Sequence, residues 1–333
     1  ACEHKYCIFA RLLNELHLLK LVKVYKCIKD FNPVNNPVVT IGSFDGVHLG
    51  HQAVFAKMRN EAKKLNGETV VITFSPHPRI ILGNDNSNIK FVKTERKKIE
   101  HIKKAGIDNL ILIEFTKEFS QQTYKQFVKE LIVDYIHPKL LVIGYDHHFG
   151  NNREGSIENL KILGMEYGFE VQKVKEQEHE NITISSSKIR ELLNNGDVVN
   201  ANKLLGHEYS ITGIVVKGNS IGRNLGFPTA NIEVADEYKL IAAIGVYACR
   251  VLVNGKIYKG MSNIGYRPTI EKANNEESGI TIEVNIFDFN ETIYGEEITI
   301  FFVNWMRDEH KFPSKQALAH QLSKDKIHAL ELL

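Results

Sequence analysis

The sequence predicts an α/β part built on a parallel sheet, followed by a small antiparallel β-barrel with a terminal helix. Three observations predict it. From Val38 short apolar runs alternate with amphipathic stretches. After Tyr209 the rhythm changes to six strand-like runs, punctuated by turns. The length, 333 residues, allows about two domains at ~100–200 residues each.

Taken in order, VVTI (38–41), TVVITF (69–74), NLILI (109–113), LLVIG (140–144) and FEV (169–171) read as buried strands. Helical faces lie between them. Val54, Met58, Ala62 and Leu65 mark one, and Tyr124, Phe127, Val128, Leu131 and Ile132 a second. Ile157, Leu160, Leu163 and Tyr167 mark a third. Such alternation implies a parallel sheet with helices on both faces. A further helical stretch, SSKIRELLNNG, runs into DVVNANKLLG. The second part then reads YSITGIVV, TANIEV, VYACRVLV, KIYKGM, TIEVNIF and EITIFFV, with the hairpin signal Asn254-Gly255 between two of them. Six strands of this kind suggest a small barrel. Residues 314–333 read as a helix with Leu318, Leu322 and Leu330 on one face.

Composition narrows the classes. Lys plus Arg is 42 and Asp plus Glu 40, a formal net charge of +2, so no global field holds nucleic acid or an anionic membrane. Any phosphate binding must be local. Hydrophobic residues at 43% and charged residues at 25% exclude disorder as the main state. Four cysteines (Cys2, Cys7, Cys27, Cys249), with no Cys-x-x-Cys pair, exclude a disulfide framework or a zinc ribbon and fit a reducing compartment. The longest uncharged apolar run, Leu240 to Cys249, is far short of the ~20 residues that span a bilayer. The opening ACEHKYCIFARLLNELHLLK matches neither a signal peptide nor a mitochondrial leader. Its Cys2, His4 and Cys7 are metal-ligating residue types, and a frayed tail or upstream extension is the plainer alternative.

Two segments carry chemistry. In the first, strand 38–41 enters GSFDGVHLGHQ (42–52), where Gly42, Gly46 and Gly50 permit tight turns and close approach to a ligand. His48 and His51, three residues apart at a predicted helix start, can point at one spot where free N–H groups and the helix dipole favour phosphate. Ser185, Ser186 and Ser187 can cap a helix and donate to phosphate, with Lys188 and Arg190 supplying charge; simple capping is the alternative. Asp146 can accept from a ribose or base, or serve only a turn at Gly144. In the second segment, KGNSIGRNLGFPTANI (217–232), the glycine spacing is neither a dinucleotide fingerprint nor a Walker A loop, and a long barrel loop is the plain alternative. Thr229 and Asn231 place two oxygens on one side of an extended segment, a set that suits Mg²⁺. In TIEVNIF, Ile282, Val284 and Ile286 share one face and Glu283 the other with Thr281 and Asn285.

The segments GSFDGVHLGH, TFSPHPR (73–79), GYDHHFGNNREG (144–155) and ISSSKIRELL (184–193) together resemble the FMN adenylyltransferase module of bacterial bifunctional FAD synthetases. His147 stands where many members carry Phe. KGNSIGRNLGFPTANI, SNIGYRPTI (262–270), TIEVNIFDFNETIYG (281–295) and WMRDEHKF (305–312) resemble the riboflavin kinase signature. The resemblance implies a Rossmann-like nucleotidyltransferase domain at 22–207 and a riboflavin kinase barrel at 208–333, with 1–21 an extension of unknown role. It implies that Gly42, Phe44, Asp45, His48, His51, Asp146, Ser185, Ser186, Ser187 and Arg190 hold ATP in the first domain, with His48, His51 and Arg190 catalytic. Pro76, His77, Pro78 and Arg79 fall on its flavin side. In the second, Lys217, Gly218, Gly222, Arg223, Gly226, Pro228, Thr229 and Asn231 hold ATP, Thr229 and Asn231 also the metal, and Glu283 is the general base. Arg267 and Arg307 contact phosphate or flavin, with surface salt bridging as the alternative. The expected activity is riboflavin to FMN, then FMN to FAD, using ATP and Mg²⁺, in a cytoplasmic monomer or weak homo-oligomer without nucleic acid or membrane partners. A chain with one active module, or a flavin- or nucleotide-binding regulator, is the alternative.

Overall fold

The computed structural model describes residues 22–83, 89–145, 149–151, 154–180, 182–218, 222, 225–266 and 279–333. Packing divides the chain into two units. One runs to Ile89 and resumes over Glu95–Thr183; the other holds Lys90–Thr94 and Ile184–Leu333.

The first unit is a six-stranded sheet, parallel throughout, in the order β1-β4-β3-β2-β5-β6. The strands are β1 (Lys23–Tyr25), β2 (Val38–Ile41), β3 (Thr69–Ser75), β4 (Asn109–Glu114), β5 (Leu140–Ile143) and β6 (Glu170–Lys173). The predicted runs form β2 to β6, though β6, read as buried, is an edge strand of exposed and half-buried residues; β1 is an added strand at the other edge. Both faces are covered. Val39, Ile41, Val70, Ile72, Leu141 and Ile143 belong to one apolar cluster. Their neighbours Val38, Val71, Leu140 and Val142 belong to another. Continuous apolar strands are therefore what this sheet requires. Helix α1 (Leu49–Leu65) buries Val54, Phe55, Met58 and Ala62. Helices α2 (Pro78–Leu82) and α3 (Glu95–Lys104) follow β3. The helical run 124–136 buries Phe127, Val128, Leu131 and Ile132. Helix α4 (Ile157–Tyr167) starts on a Ser156–Asn159 capping box. Because β3 leaves β2 on one side and β5 lies on the other, the chain reverses at β2, and the loops leaving β2 and β5 flank the crevice where open α/β sheets bind ligands.

In the second unit, α5 (Ser186–Asn194) and α6 (Val198–Leu205) precede a closed antiparallel barrel, β10-β13-β12-β11-β14-β9. Its strands are β9 (Tyr209–Val216), β10 (Ala230–Glu233), β11 (Gly245–Val253), β12 (Lys256–Tyr266), β13 (Ile280–Ile286) and β14 (Glu297–Arg307). A two-stranded ribbon of the first unit supplies β7 (Glu178–His179) and β8 (Ile182–Thr183). Asn254 and Gly255 join β11 to β12 with φ of 47° and 77°, the left-handed pair expected of that hairpin. Helix α7 (Lys315–Leu332) packs on β11, β12 and β14. Its buried positions are Asp325 and Ala329. Leu330, expected on the packed face with Leu318 and Leu322, is 40% exposed, since it stands one residue past the stripe that Ala329 continues.

The segment 90–94 pairs within the second unit. Phe91 N–H donates to Tyr238 O (2.7 Å) and Leu240 N–H to Phe91 O (2.8 Å). Lys239 Nζ donates to Val92 O (2.5 Å) and Lys90 Nζ to Glu237 O (2.6 Å).

Candidate active sites

The first site is the loop from β2 to α1. Phe44 (φ 51°) and Val47 (φ 46°) are left-handed, as is Gly46 (φ 83°). For a β-branched residue such as Val47 this conformation is costly, and strain of this kind gathers at functional sites. The surroundings hold it. Val47 N–H donates to Phe44 O (3.2 Å), and Gln52 Nε2 donates to Val47 O (3.0 Å). The Phe44 ring meets Phe55 at 5.1 Å and His51 at 5.2 Å. This buckle delivers His48 to the N-cap of α1. One turn on, the His51 ring stacks on that of His48 with centroids 3.6 Å apart and planes 20° apart. The two imidazoles predicted to converge therefore do. Burial, then the neighbouring His48, hold the His51 pKa well below its ordinary value. His51 Nδ1 is buried and meets no hydrogen-bond partner among the described residues.

TFSPHPR closes β3 and opens α2: His77 is the N-cap, its Nδ1 accepting from Arg79 N–H (3.1 Å), and Pro78 takes the first turn. Ser185 caps α5, its Oγ accepting from Lys188 N–H (3.2 Å). Arg190 Nη2 donates to Ser187 Oγ (3.1 Å), while Lys188 pairs with Glu191 (2.8 Å). Cys2, His4, Cys7, Asp146, His147, Arg223 and Arg267 lie outside the described residues.

The second site is a cavity of about 330 Å³ in the barrel unit. Thr229, Asn231, Glu283 and Arg307 all line it. Asn231 and Glu283 are direct cross-strand partners of β10 and β13, so their side chains share a face. Thr229 Oγ1 donates to Glu283 Oε2 (3.3 Å). Asn285 Nδ2 donates to Pro228 O (2.7 Å) and fastens the Pro-Thr-Ala-Asn segment to β13. Burial pushes the Glu283 pKa up and Glu309 adds to this, against the Thr229 hydrogen bond. The loop ahead of β10 closes on itself: Leu225 and Phe227 N–H both donate to Gly222 O, and Gly226 is left-handed (φ 81°). Gly218 leaves room for Asn231, whose Nδ2 lies 2.1 Å from where a Cβ would stand.

Arg307 both lines the cavity and is ion-paired. Its Nε and Nη2 grip Asp325 of α7 at 2.7–3.2 Å, and Nη1 donates to Asp308 O (2.9 Å). Asp325 is also held by Gln321 Nε2 (2.9 Å). Sequence reasoning did not find Asp325, because its partner is 18 residues away and only the packing of α7 joins them. Nor did it find Lys98, a buried lysine of α3 bonded to Thr73 and Phe74. The one signal for it is its place one turn before Ile102 on an apolar stripe.

A histidine-bearing loop at a parallel-sheet crevice in one unit, and a barrel cavity lined by a half-buried carboxylate in the other, fit a two-module enzyme that transfers phosphoryl and nucleotidyl groups. The FAD synthetase family model matches residues 32–188 and the riboflavin kinase model residues 205–333. The chain is 38% identical over 308 residues to the bifunctional riboflavin kinase/FMN adenylyltransferase of Buchnera aphidicola subsp. Acyrthosiphon pisum, covering 92% of this chain and 96% of that one. It is 39% identical over 290 residues to the protein of the same name from Listeria monocytogenes, covering 87% and 90%. The chain belongs to the bifunctional riboflavin kinase/FMN adenylyltransferase family. A crystal structure described as a macrolide-efflux protein from Streptococcus pneumoniae has the same fold (TM-score 0.84, 32% identity, 93% of this chain and 98% of that chain). Among the described residues of this chain no helix is long and apolar enough to cross a membrane.

Proposed function

We propose that this chain makes FAD in two ATP-dependent steps, phosphorylating riboflavin to FMN on the barrel and adenylylating FMN on the sheet unit. The observation that carries the reading is the convergence of Thr229, Asn231 and Glu283 on one cavity, in a chain that also stacks His48 on His51 at a helix start.

On the barrel, the Glu283 carboxylate takes the proton of the ribityl 5′-hydroxyl, and the oxygen attacks the γ-phosphorus of ATP as ADP leaves. A raised pKa makes Glu283 a stronger base than an exposed carboxylate. Thr229 Oγ1 orients it. Thr229 and Asn231 are neutral oxygen ligands suited to a Mg²⁺ that takes most of its charge balance from phosphate. Without a Cβ at position 218, the Asn231 amide keeps the place it holds at the cavity. Mg²⁺ bound there would orient and neutralise the triphosphate. Lys217, Gly218, Gly222, Gly226 and Pro228 shape the loop over the nucleotide.

On the sheet unit, an oxygen of the FMN phosphate attacks the α-phosphorus of ATP and pyrophosphate leaves. The attacking group is already an anion, so no enzyme nucleophile is needed, and catalysis rests on position and charge. His48, His51 and the first N–H groups of α1 donate to the charge that develops, with Gly42, Phe44 and Asp45 shaping the loop. By resemblance, Ser185, Ser186, Ser187 and Arg190 contact ATP, and Pro76, His77, Pro78 and Arg79 the flavin.

The test is incubation with riboflavin, ATP and Mg²⁺, followed by chromatography of the flavins. FMN and FAD are both expected. FMN without FAD would sink the adenylyltransferase half; FAD from supplied FMN, with no product from riboflavin, would sink the kinase half.

Two further outcomes are expected. Gly218→Ala pushes the Asn231 amide aside, so FMN formation should need about tenfold more Mg²⁺ while FAD formation from FMN is unchanged. Titration of each rate with Mg²⁺ checks this. Asp325→Asn frees a guanidinium from its bidentate partner. The KM for riboflavin should rise about tenfold with kcat little changed, alongside a lower melting temperature, because the Arg307 charge is left uncompensated.

A further inference from the structure

Lys98 is 7% exposed, and a lysine that deep is costly unless its charge is held. It sits on the inward stripe of α3, where its successor one turn on, Ile102, is fully buried. Its Nζ donates to Thr73 Oγ1 (3.3 Å) and to Phe74 O (3.1 Å), both at the carboxyl end of β3. Thr73 is itself fully buried, and its hydroxyl also donates to Ser43 O (3.4 Å) in the loop that leaves β2. Asp45, in the same loop and 4% exposed, and Glu95, on α3, bring negative charge to the ammonium. Helix α3 packs directly on the turn Asp45–Val47.

From this network we infer that Lys98 is a positioning residue for adenylyl transfer, a buried cation that fixes the His48/His51 loop against the end of β3. The two segments it joins carry the ATP-side and flavin-side residues of the proposed site, Gly42–His51 and Ser75–Arg79. Phe74 leads straight into the second. Asp45 begins the strained turn that ends at His48, and Thr73 ties the same loop at Ser43 just before it, so the cation that holds Thr73 helps set where the imidazoles stand. A misplacement of about 1 Å in such a site costs on the order of 10²-fold in rate. The inference rests on the adenylyltransferase reading.

The experiment uses the full chain and measures FAD formation from FMN, ATP and Mg²⁺, FMN formation from riboflavin, and the melting temperature, for Lys98→Met, Lys98→Gln, Asp45→Asn and the double variant Lys98→Met/Asp45→Asn. Both Lys98 variants should lose on the order of 10²-fold in kcat for FAD formation, with KM for ATP within about threefold and FMN formation unchanged. The double variant should be no slower than the worse single variant, because the two residues act as one unit. Losses that multiply in the double variant, or FAD formation at the wild-type rate in both Lys98 variants, would overturn the inference. So would parallel collapse of both activities and of the melting temperature, which would assign Lys98 to fold stability alone. Absence of FAD formation in the unmodified chain would instead remove the adenylyltransferase reading on which it stands.

Discussion

Replacing His51 by alanine should abolish FAD formation from FMN while FMN formation from riboflavin continues at its full rate. The expected loss is on the order of 10²–10³-fold, the size found when one donor to a developing oxyanion is removed. Two features make the effect large. The imidazole is fixed by its stack on His48 and by the edge of Phe44, so it has no reorientation to undergo when phosphate arrives. Burial also holds its pKa well below the ordinary value, so the ring is neutral and donates from one nitrogen only, and no second donor of the same ring makes up the loss. A pH signature accompanies the variant. The folded chain binds a proton at His51 less readily than the unfolded chain does, whose imidazole has the ordinary value of about 6.5. The unfolded state therefore holds more protons just below that pH, and the wild-type chain loses stability as pH falls through about 6.5. His51→Ala should flatten that fall, measurable as a smaller change in melting temperature between pH 7.5 and 5.5. Equal loss of both activities would show that His51 supports the fold rather than adenylyl transfer.

Glu283→Gln is the converse. FMN formation should drop by about 10²–10⁴-fold, the usual contribution of a positioned general base, while supplied FMN is still converted to FAD. The amide keeps the size of the carboxylate and can keep the contact to Thr229, so the cavity should retain its shape and riboflavin its affinity. In the unmodified chain Glu283 must be ionised to act. Its pKa is displaced upward, so the acid limb of the FMN-forming rate should have its midpoint above the ordinary carboxylate range. That limb should be missing from the FAD-forming rate. A Glu283→Gln chain that phosphorylates riboflavin at the wild-type rate would remove Glu283 from the chemistry.

The sequence was most legible where one physical rule decides the structure alone. VVTI, TVVITF and NLILI are apolar along their whole length because both faces of the sheet are covered, and they became β2, β3 and β4. Alternation in TIEVNIF placed Ile282 and Val284 in the core and Glu283 at the cavity. The edge strand β1 was not legible, since its three residues begin with an exposed lysine. Leu330 was misplaced because a helix of mixed residues offers several stripes, and only packing selects the one through Ala329. Lys98 and Asp325 escaped for a common reason. A lysine or aspartate in a helix reads as solvated until the fold puts a partner opposite it. The convergence of His48 and His51 needed only a three-residue spacing. The pairing of Asn231 with Glu283 needed a strand register that spans 52 positions and was not legible; the resemblance only assigned both residues to one site.

Residues 90–94 carry a consequence for how this gene could be divided. They are encoded inside the stretch for the sheet unit, yet their hydrogen bonds to Glu237, Tyr238, Lys239 and Leu240 belong to the barrel unit. A barrel fragment expressed from Ile184 onward would lack those partners, and a fragment ending at Thr183 would carry a short segment without the barrel groups it bonds to. No single cut in the reading frame yields two pieces that each keep all their own bonds. A chain nicked at one point between the units would leave the two pieces fastened by a five-residue segment, 90–94, that one lends to the other.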